Sequence, residues 1–177
     1  MQPKTLSLLS GQPFKVIVFL GAKQKIGVDL ANAMQMLGSD GSYVQICGNG
    51  RNALDFHIAF ALGELSASNP DSRFYVVSGD TGFDSLLRYV RKRGTKAVRL
   101  SSLENLDAEV VLQEKLDVVV RNLASRGSAR PRSVKALANT IKTLFPPETL
   151  DGEVESLIAA LARDAYITIE SDSVSYG

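Results

Sequence analysis

Residues 73–94, "RFYVVSGDTGFDSLLRYVRKRG", read as strand, turn and helix in one unbroken piece. Positions 73–77 are a short run rich in β-branched and aromatic residues. Ser78-Gly79-Asp80-Thr81 has the composition of a turn, and from Gly82 the apolar side chains recur at helical spacing up to Arg93. A strand handed straight to a helix is the repeating unit of a parallel α/β sheet. The same alternation runs outward from this stretch. Strands are expected over 15–20, 43–47 and 97–100, and helices over 24–37 and 52–67. The strand runs are mostly apolar rather than alternating, as they are when helices cover both faces of a parallel sheet.

From Asp107 the pattern becomes helical. Helices are expected over 109–124, 133–145 and 150–163, and "YITIESDSVSY" (166–176) alternates about a Ser-Asp turn as a β-hairpin does. Ser133 is placed to cap its helix, with Leu137, Ile141 and Leu144 as the core stripe. The expected organisation is an α/β domain over 1–106 and a small helical, winged-helix-like domain over 107–177. Such modules often bind nucleic acid. However, the third helix carries Asp151, Glu153 and Glu155 against Arg163, so packing or dimerisation suits it equally.

The chain has 177 residues, enough for one ordinary domain or for a domain with a small appendage. No apolar run approaches the length that spans a bilayer, and the first residues show no secretory leader, so a cytoplasmic protein with no membrane partner is expected. Cys47 is the only cysteine, which rules out an internal disulfide; it reads as a small buried filler at a strand end. The net charge of +1 hides an asymmetry: 12 basic and 8 acidic side chains in residues 1–106, against 8 and 11 in residues 107–177. Arg88, Arg91, Lys92, Arg93, Lys96 and Arg99 form a run without an intervening acid, as do Arg121, Arg126, Arg130, Arg132, Lys135 and Lys142. Runs of this kind either neutralise phosphates or form solvated helix faces.

Ligands of parallel α/β sheets bind outside the carboxyl ends of the strands. Asp80 leaves its strand at that end, and Asp84, one helical turn on, can face it. The alternative is that Asp80 caps the helix while Asp84 complements its dipole. Asp55 is the third acid. It stands one turn into "NALDFHIAFALGELSA" (52–67), a helix apolar on nearly all sides, with Leu54, Ile58, Ala61, Leu62 and Leu65 on one face and Phe56, Ala59, Phe60 and Gly63 on another. A carboxylate there is costly unless it is paired, hydrogen-bonded or metal-bound. Three carboxylates at strand ends, without a His or Cys cluster, suit a hard cation such as Mg²⁺. With a phosphodiester as substrate, that chemistry is nuclease chemistry.

Other motifs point elsewhere with less support. "GNGRNA" (48–53) fits a dinucleotide fingerprint between strand and helix, but the acidic pair after the next strand would repel a diphosphate. "DTG" (80–82) is followed by a helix rather than the all-β setting of aspartic proteases. His57 lies on the polar strip of its helix with Glu64, where a lone histidine is usually a surface residue.

"GNGRNALDFHIAFALGEL" (48–65) and "FYVVSGDTGFDSLLRYVRKRG" (74–94) together resemble the PIN-like ribonucleases, in particular their NYN-type branch. The resemblance covers residues 13–105 and implies metal-binding or catalytic roles for Asp55, Asp80 and Asp84, supported by Asn52, Ser78 and Thr81. It also implies a Rossmann-like parallel sheet, and RNA as substrate. The family begins with a central strand ending in Asp, and here no acid precedes Asp29. A start site placed too late is expected; a truncated chain or a noncatalytic RNA-binding member are the alternatives. The reading that follows is a Mg²⁺- or Mn²⁺-dependent ribonuclease, with Lys23, Lys25, Arg51, Arg88, Arg91 and Arg93 on the RNA phosphates. Homodimerisation and an inhibitory protein partner are left open.

Overall fold

The computed structural model describes Leu6, Leu9, residues 13–147 and residues 152–177. Contacts divide the chain into two units, Met1–Val90 with Gly94–Asn105, and Arg91–Arg93 with Leu106–Gly177.

The first unit alternates strand and helix: β1 (Val16–Leu20), α1 (Val28–Met36), β2 (Gly41–Gln45), α2 (Ala53–Ser68), β3 (Arg73–Val77), α3 (Phe83–Lys92) and β4 (Lys96–Leu100). β1 pairs with β2 in parallel, Val16 opposite Gly41 through Leu20 opposite Gln45. β3 pairs with β4 in the same sense, Arg73 opposite Lys96 through Val77 opposite Leu100. Parallel neighbours need a crossover between them, which α1 and α3 provide. The expected parallel sheet is thus present as two pairs, and among the described residues no strand joins them. Phe14, just before β1, meets Tyr75 of β3 edge to face at 6.0 Å.

Local chemistry sets the element ends. α1 starts at Val28 rather than near residue 24, because Gln24 folds back on Gly21: its N–H donates to the Gly21 carbonyl at 2.9 Å, and its Oε1 accepts from the Gly21 N–H at 3.0 Å. β2 begins at Gly41, where a Cβ would come within 3.0 Å of the Met34 carbonyl oxygen and 3.1 Å of the Leu37 side chain. Only glycine lets the strand leave α1 so tightly. Because β2 already ends at Gln45, Cys47 lies beyond it and is exposed, not the buried filler expected. The core joins Leu62 of α2 to Phe83, Leu87 and Ala97, with Ile58, Phe74, Val76, Leu86 and Val90 packed against them.

The second unit contains α4 (Leu106–Ser125), α5 (Val134–Lys142), α6 (Glu153–Arg163) and the hairpin β5 (Ile167–Glu170) and β6 (Ser173–Tyr176). Ser133 caps α5 as expected, its Oγ accepting from the Ala136 N–H at 3.2 Å. Leu116, Val119, Leu123, Leu137, Ile141, Leu157, Leu161 and Val174 share one core. The hairpin turns through Ser171, which takes a left-handed φ of 55°. It is tied to the segment before α5: the Val174 N–H donates to the Arg132 carbonyl and the Val134 N–H to the Asp172 carbonyl, both at 3.0 Å. No helix among the described residues is long and apolar enough to cross a membrane.

Polar groups inside this unit are paired. Arg163 donates from Nη2 to Glu109 Oε1 at 2.8 Å and from Nε to Asp164 Oδ1 at 2.9 Å, and the buried Gln113 amide donates to Glu109 at 2.8 Å. Burial opposes the Arg163 charge, but the bonds to Asp164 and Glu109 outweigh it and hold the guanidinium above its usual range.

Candidate functional site

The end of β3 fixes the first acidic turn through its own backbone. The Ser78 N–H donates to the Leu100 carbonyl at 2.9 Å, extending the β3–β4 ladder by one residue. Ser78 Oγ then accepts from the Asp80 N–H at 3.1 Å, and Asp80 Oδ1 accepts from the Gly82 N–H at 2.7 Å. The Asp80 carboxylate is exposed and held by one oxygen. A side chain at Gly82 would place its Cβ 3.0 Å from that oxygen, so glycine keeps the turn open. Thr81, also exposed, contributes its carbonyl, which accepts from the Asp84 N–H at 2.9 Å as α3 begins.

Asp84 is engaged on both oxygens. Arg99, from β4, donates from Nε to Oδ1 at 2.7 Å and from Nη2 to Oδ2 at 3.2 Å, and its Nη1 donates to the Ser78 carbonyl at 3.1 Å. The bidentate bond to Asp84 raises the Arg99 pKa against a small burial cost, helped by the charges of Asp84 and Asp80. One arginine thus clasps the strand end to the first turn of α3. Arg99 stood in the basic run of the sequence but was not among the expected site residues. The available signal was a lone Arg among the apolar residues of "KAVRL" (96–100).

Asp80 and Asp84 both stand in the segment that joins β3 to α3, and both act on Arg99, Asp84 by hydrogen bonds and Asp80 by its charge. Asp55 is half-buried in the first turn of α2, a different loop from theirs. Among the described residues no group of three His, Cys, Asp or Glu side chains lies where it could hold a metal ion. Asp55, Asp80 and Asp84 thus form no such group of three among the described residues, and their binding of a Mg²⁺ or Mn²⁺ ion stays an expectation. Oxygen donors of this kind suit a hard cation in composition, but an ion would have to displace Arg99 from both Asp84 oxygens. Mg²⁺ commonly uses only one or two carboxylates with water and substrate phosphate, and of the three acids Asp80, exposed and held by one oxygen, is the one that could serve it.

The other expected residues divide. Lys23, Lys25, Arg51, Arg88 and Arg93 are exposed. Arg91 is not available to a phosphate: its side chain is 9% exposed and its Nε lies 3.5 Å from Asp164 within the second unit. Asn52 is exposed in the left-handed region at φ 63° and makes no side-chain cap to α2. His57 Nδ1 lies 2.7 Å from the Ala53 carbonyl oxygen, an intrahelical bond that places its proton on Nδ1.

The PIN domain family profile matches residues 1–100, the strand–helix region that carries this acidic turn. The chain belongs to the PIN domain family. PIN domains are generally nucleases that use divalent metals, and the family suggests RNA as the substrate class. No curated protein and no solved structure matches the chain. In this PIN domain the acidic turn after β3 is neutralised in part from within, by Arg99, rather than left wholly to a bound cation.

Proposed function

We propose that the protein is a ribonuclease of the NYN-type PIN branch that hydrolyses RNA phosphodiester bonds in the presence of Mg²⁺ or Mn²⁺. The observation that carries this reading is the acidic pair Asp80 and Asp84 at the carboxyl end of β3 in a PIN-family chain. Asp80 is the carboxylate with room to act: it is exposed, and one oxygen is held by Gly82 while the other points to no described donor. It would orient or deprotonate an attacking water, with Arg99 fixing the neighbouring carboxylate. Lys23, Lys25, Arg51, Arg88 and Arg93 would hold the RNA backbone. The helical unit with its terminal hairpin is read as a winged-helix-like appendage.

The test is incubation of the purified full chain with labelled single-stranded RNA in Mg²⁺, in Mn²⁺ and in chelator. Cleavage that needs the ion and disappears in Asp80→Asn, with binding retained, supports the proposal. A second reading, a noncatalytic RNA-binding or assembly module, is favoured by one observation: Arg99 takes both Asp84 oxygens. Salt-sensitive RNA retention without cleavage in either metal would decide for it, because phosphate contacts release counterions.

A further inference from the structure

Arg99 directs its guanidinium at the acidic turn from all three nitrogens. Its Nε and Nη2 donate to the two oxygens of Asp84 at 2.7 and 3.2 Å, and its Nη1 donates to the Ser78 carbonyl at 3.1 Å. A guanidinium keeps its charge at any pH a protein works at, and its planar fork fits both oxygens of one carboxylate together. Asp84 is thereby matched in charge and in geometry by a group of its own chain. Asp80, four residues earlier, is exposed and has one oxygen on the Gly82 N–H. Its charge still acts on Arg99, so the three groups share one electrostatic neighbourhood.

Charge decides how many divalent cations such a turn can take. Two bare carboxylates could serve a pair of ions, as in sites where one ion lies on the attacking and one on the leaving oxygen of a phosphodiester. With Arg99 in place, Asp80, Asp84 and the guanidinium sum to a single negative charge. One divalent ion at Asp80 reverses that to a single positive charge, the sign that attracts a phosphodiester. A second ion would have to break two charge-assisted bonds and then lie beside the displaced guanidinium, cation against cation. The guanidinium is also able to do a second ion's work, since it can stabilise negative charge on a phosphate oxygen. Arg99 is 19% exposed rather than sealed off, and the bonds above leave one N–H on Nη1 and one on Nη2.

We propose that the acidic turn takes one divalent cation, at Asp80, and that Arg99 stands in for a second at Asp84. This rests on the reading of Asp80 as the carboxylate that serves the ribonuclease's Mg²⁺ or Mn²⁺. Electron paramagnetic resonance of Mn²⁺ titrated into the full chain counts bound ions without requiring turnover. The expected count is one in the unaltered chain and none in Asp80→Asn. Arg99→Gln, with its fold checked by circular dichroism, frees Asp84 and raises the count to two; adding Asp84→Asn to it returns the count to one. Two ions in the unaltered chain, or a count of one in Arg99→Gln, overturn the proposal. So does an ion that survives Asp80→Asn, or a second that survives Asp84→Asn. RNA cleavage by the same samples separates the two readings: metal-dependent cleavage with any of these counts leaves the ribonuclease standing and removes only the role of Arg99. No bound ion and no cleavage in the unaltered chain overturns both.

Discussion

In the second unit Leu137, Ile141, Leu157 and Leu161 are wholly withdrawn from solvent, whereas in the first unit α2, apolar on nearly every side, leaves Phe56 and Phe60 outside the core. The helical unit has one apolar stripe per helix, and the stripes meet. The α/β unit leaves part of its apolar surface exposed, and its described strands stand as two parallel pairs. Periodicity closes a helical core locally, because each stripe needs only its neighbour. A parallel sheet depends on long-range pairing, so what completes it is written elsewhere in a sequence than the strands themselves. Among the described residues the helical unit buries its apolar stripes against one another, and the α/β unit leaves part of its apolar surface in solvent.

The sharpest way to break this contrast is to empty the helical core. Leu161→Ala removes a side chain with no solvent exposure from the centre of that core. It is expected to cost about 2–5 kcal/mol, read as a lower urea midpoint by circular dichroism. Hydrogen exchange should localise the loss to α4, α5 and α6. A loss well under this range would mean that the helical unit is not the better-packed of the two.

Arg99→Gln probes the α/β unit at a tight polar clasp. The pair is partly open, with Arg99 19% and Asp84 47% exposed, so loss of its two bonds should cost about 1 kcal/mol. Calorimetric titration with Mn²⁺ shows what the clasp does. Tighter Mn²⁺ binding in the variant means that Arg99 occupies Asp84 in place of a cation; unchanged binding makes the pair a structural tie between β4 and α3.

Tyr176 provides a pH handle on the helical unit. Its hydroxyl donates to the Pro131 carbonyl at 2.8 Å, and its ring lies under the Arg130 guanidinium at 5.2 Å. Burial raises its pKa, and the charges of Arg130 and Arg126 only partly oppose this. The folded state therefore holds the proton more tightly than the unfolded chain does. The contribution is fully present below the ordinary tyrosine value of about 10 and is lost as pH rises above it. Tyr176→Phe should cost about 1 kcal/mol at neutral pH through the lost hydrogen bond. It should also flatten the decline in melting temperature above that value.

How much of this was legible in the sequence follows the same division. Ser133 as a cap, the Leu137–Ile141 stripe and the Ser171-Asp172 turn depend on neighbours within a few residues, and each was readable. So was the acidic turn, because a strand ending in Ser-Gly-Asp before an apolar helix fixes where Asp80 and Asp84 emerge. Arg99 as the partner of Asp84 was not readable, since that bond spans 15 residues and depends on β3–β4 register. The burial of Arg91 against Asp164 depends on a still more distant residue. The grouping of Asp55 with the other two acids assumed one continuous sheet to bring the loops together, and the described strands form two pairs instead.

The smallest expected effect bears most directly on the contrast. Phe60→Ser deletes a large aromatic side chain from α2, yet the ring is outside the core and loses little packing. Its effect on monomer stability should lie within about 0.5 kcal/mol, as for surface substitutions. Urea midpoints measured at a concentration too low for self-association would isolate that term from any dimer contribution, which grows by mass action with concentration. A near-zero change would mean that the exposed face of α2 carries none of the packing of its own unit. A loss of several kcal/mol at low concentration would instead place Phe60 in the folding core of its own unit, and the contrast between the two units would fail at its clearest residue.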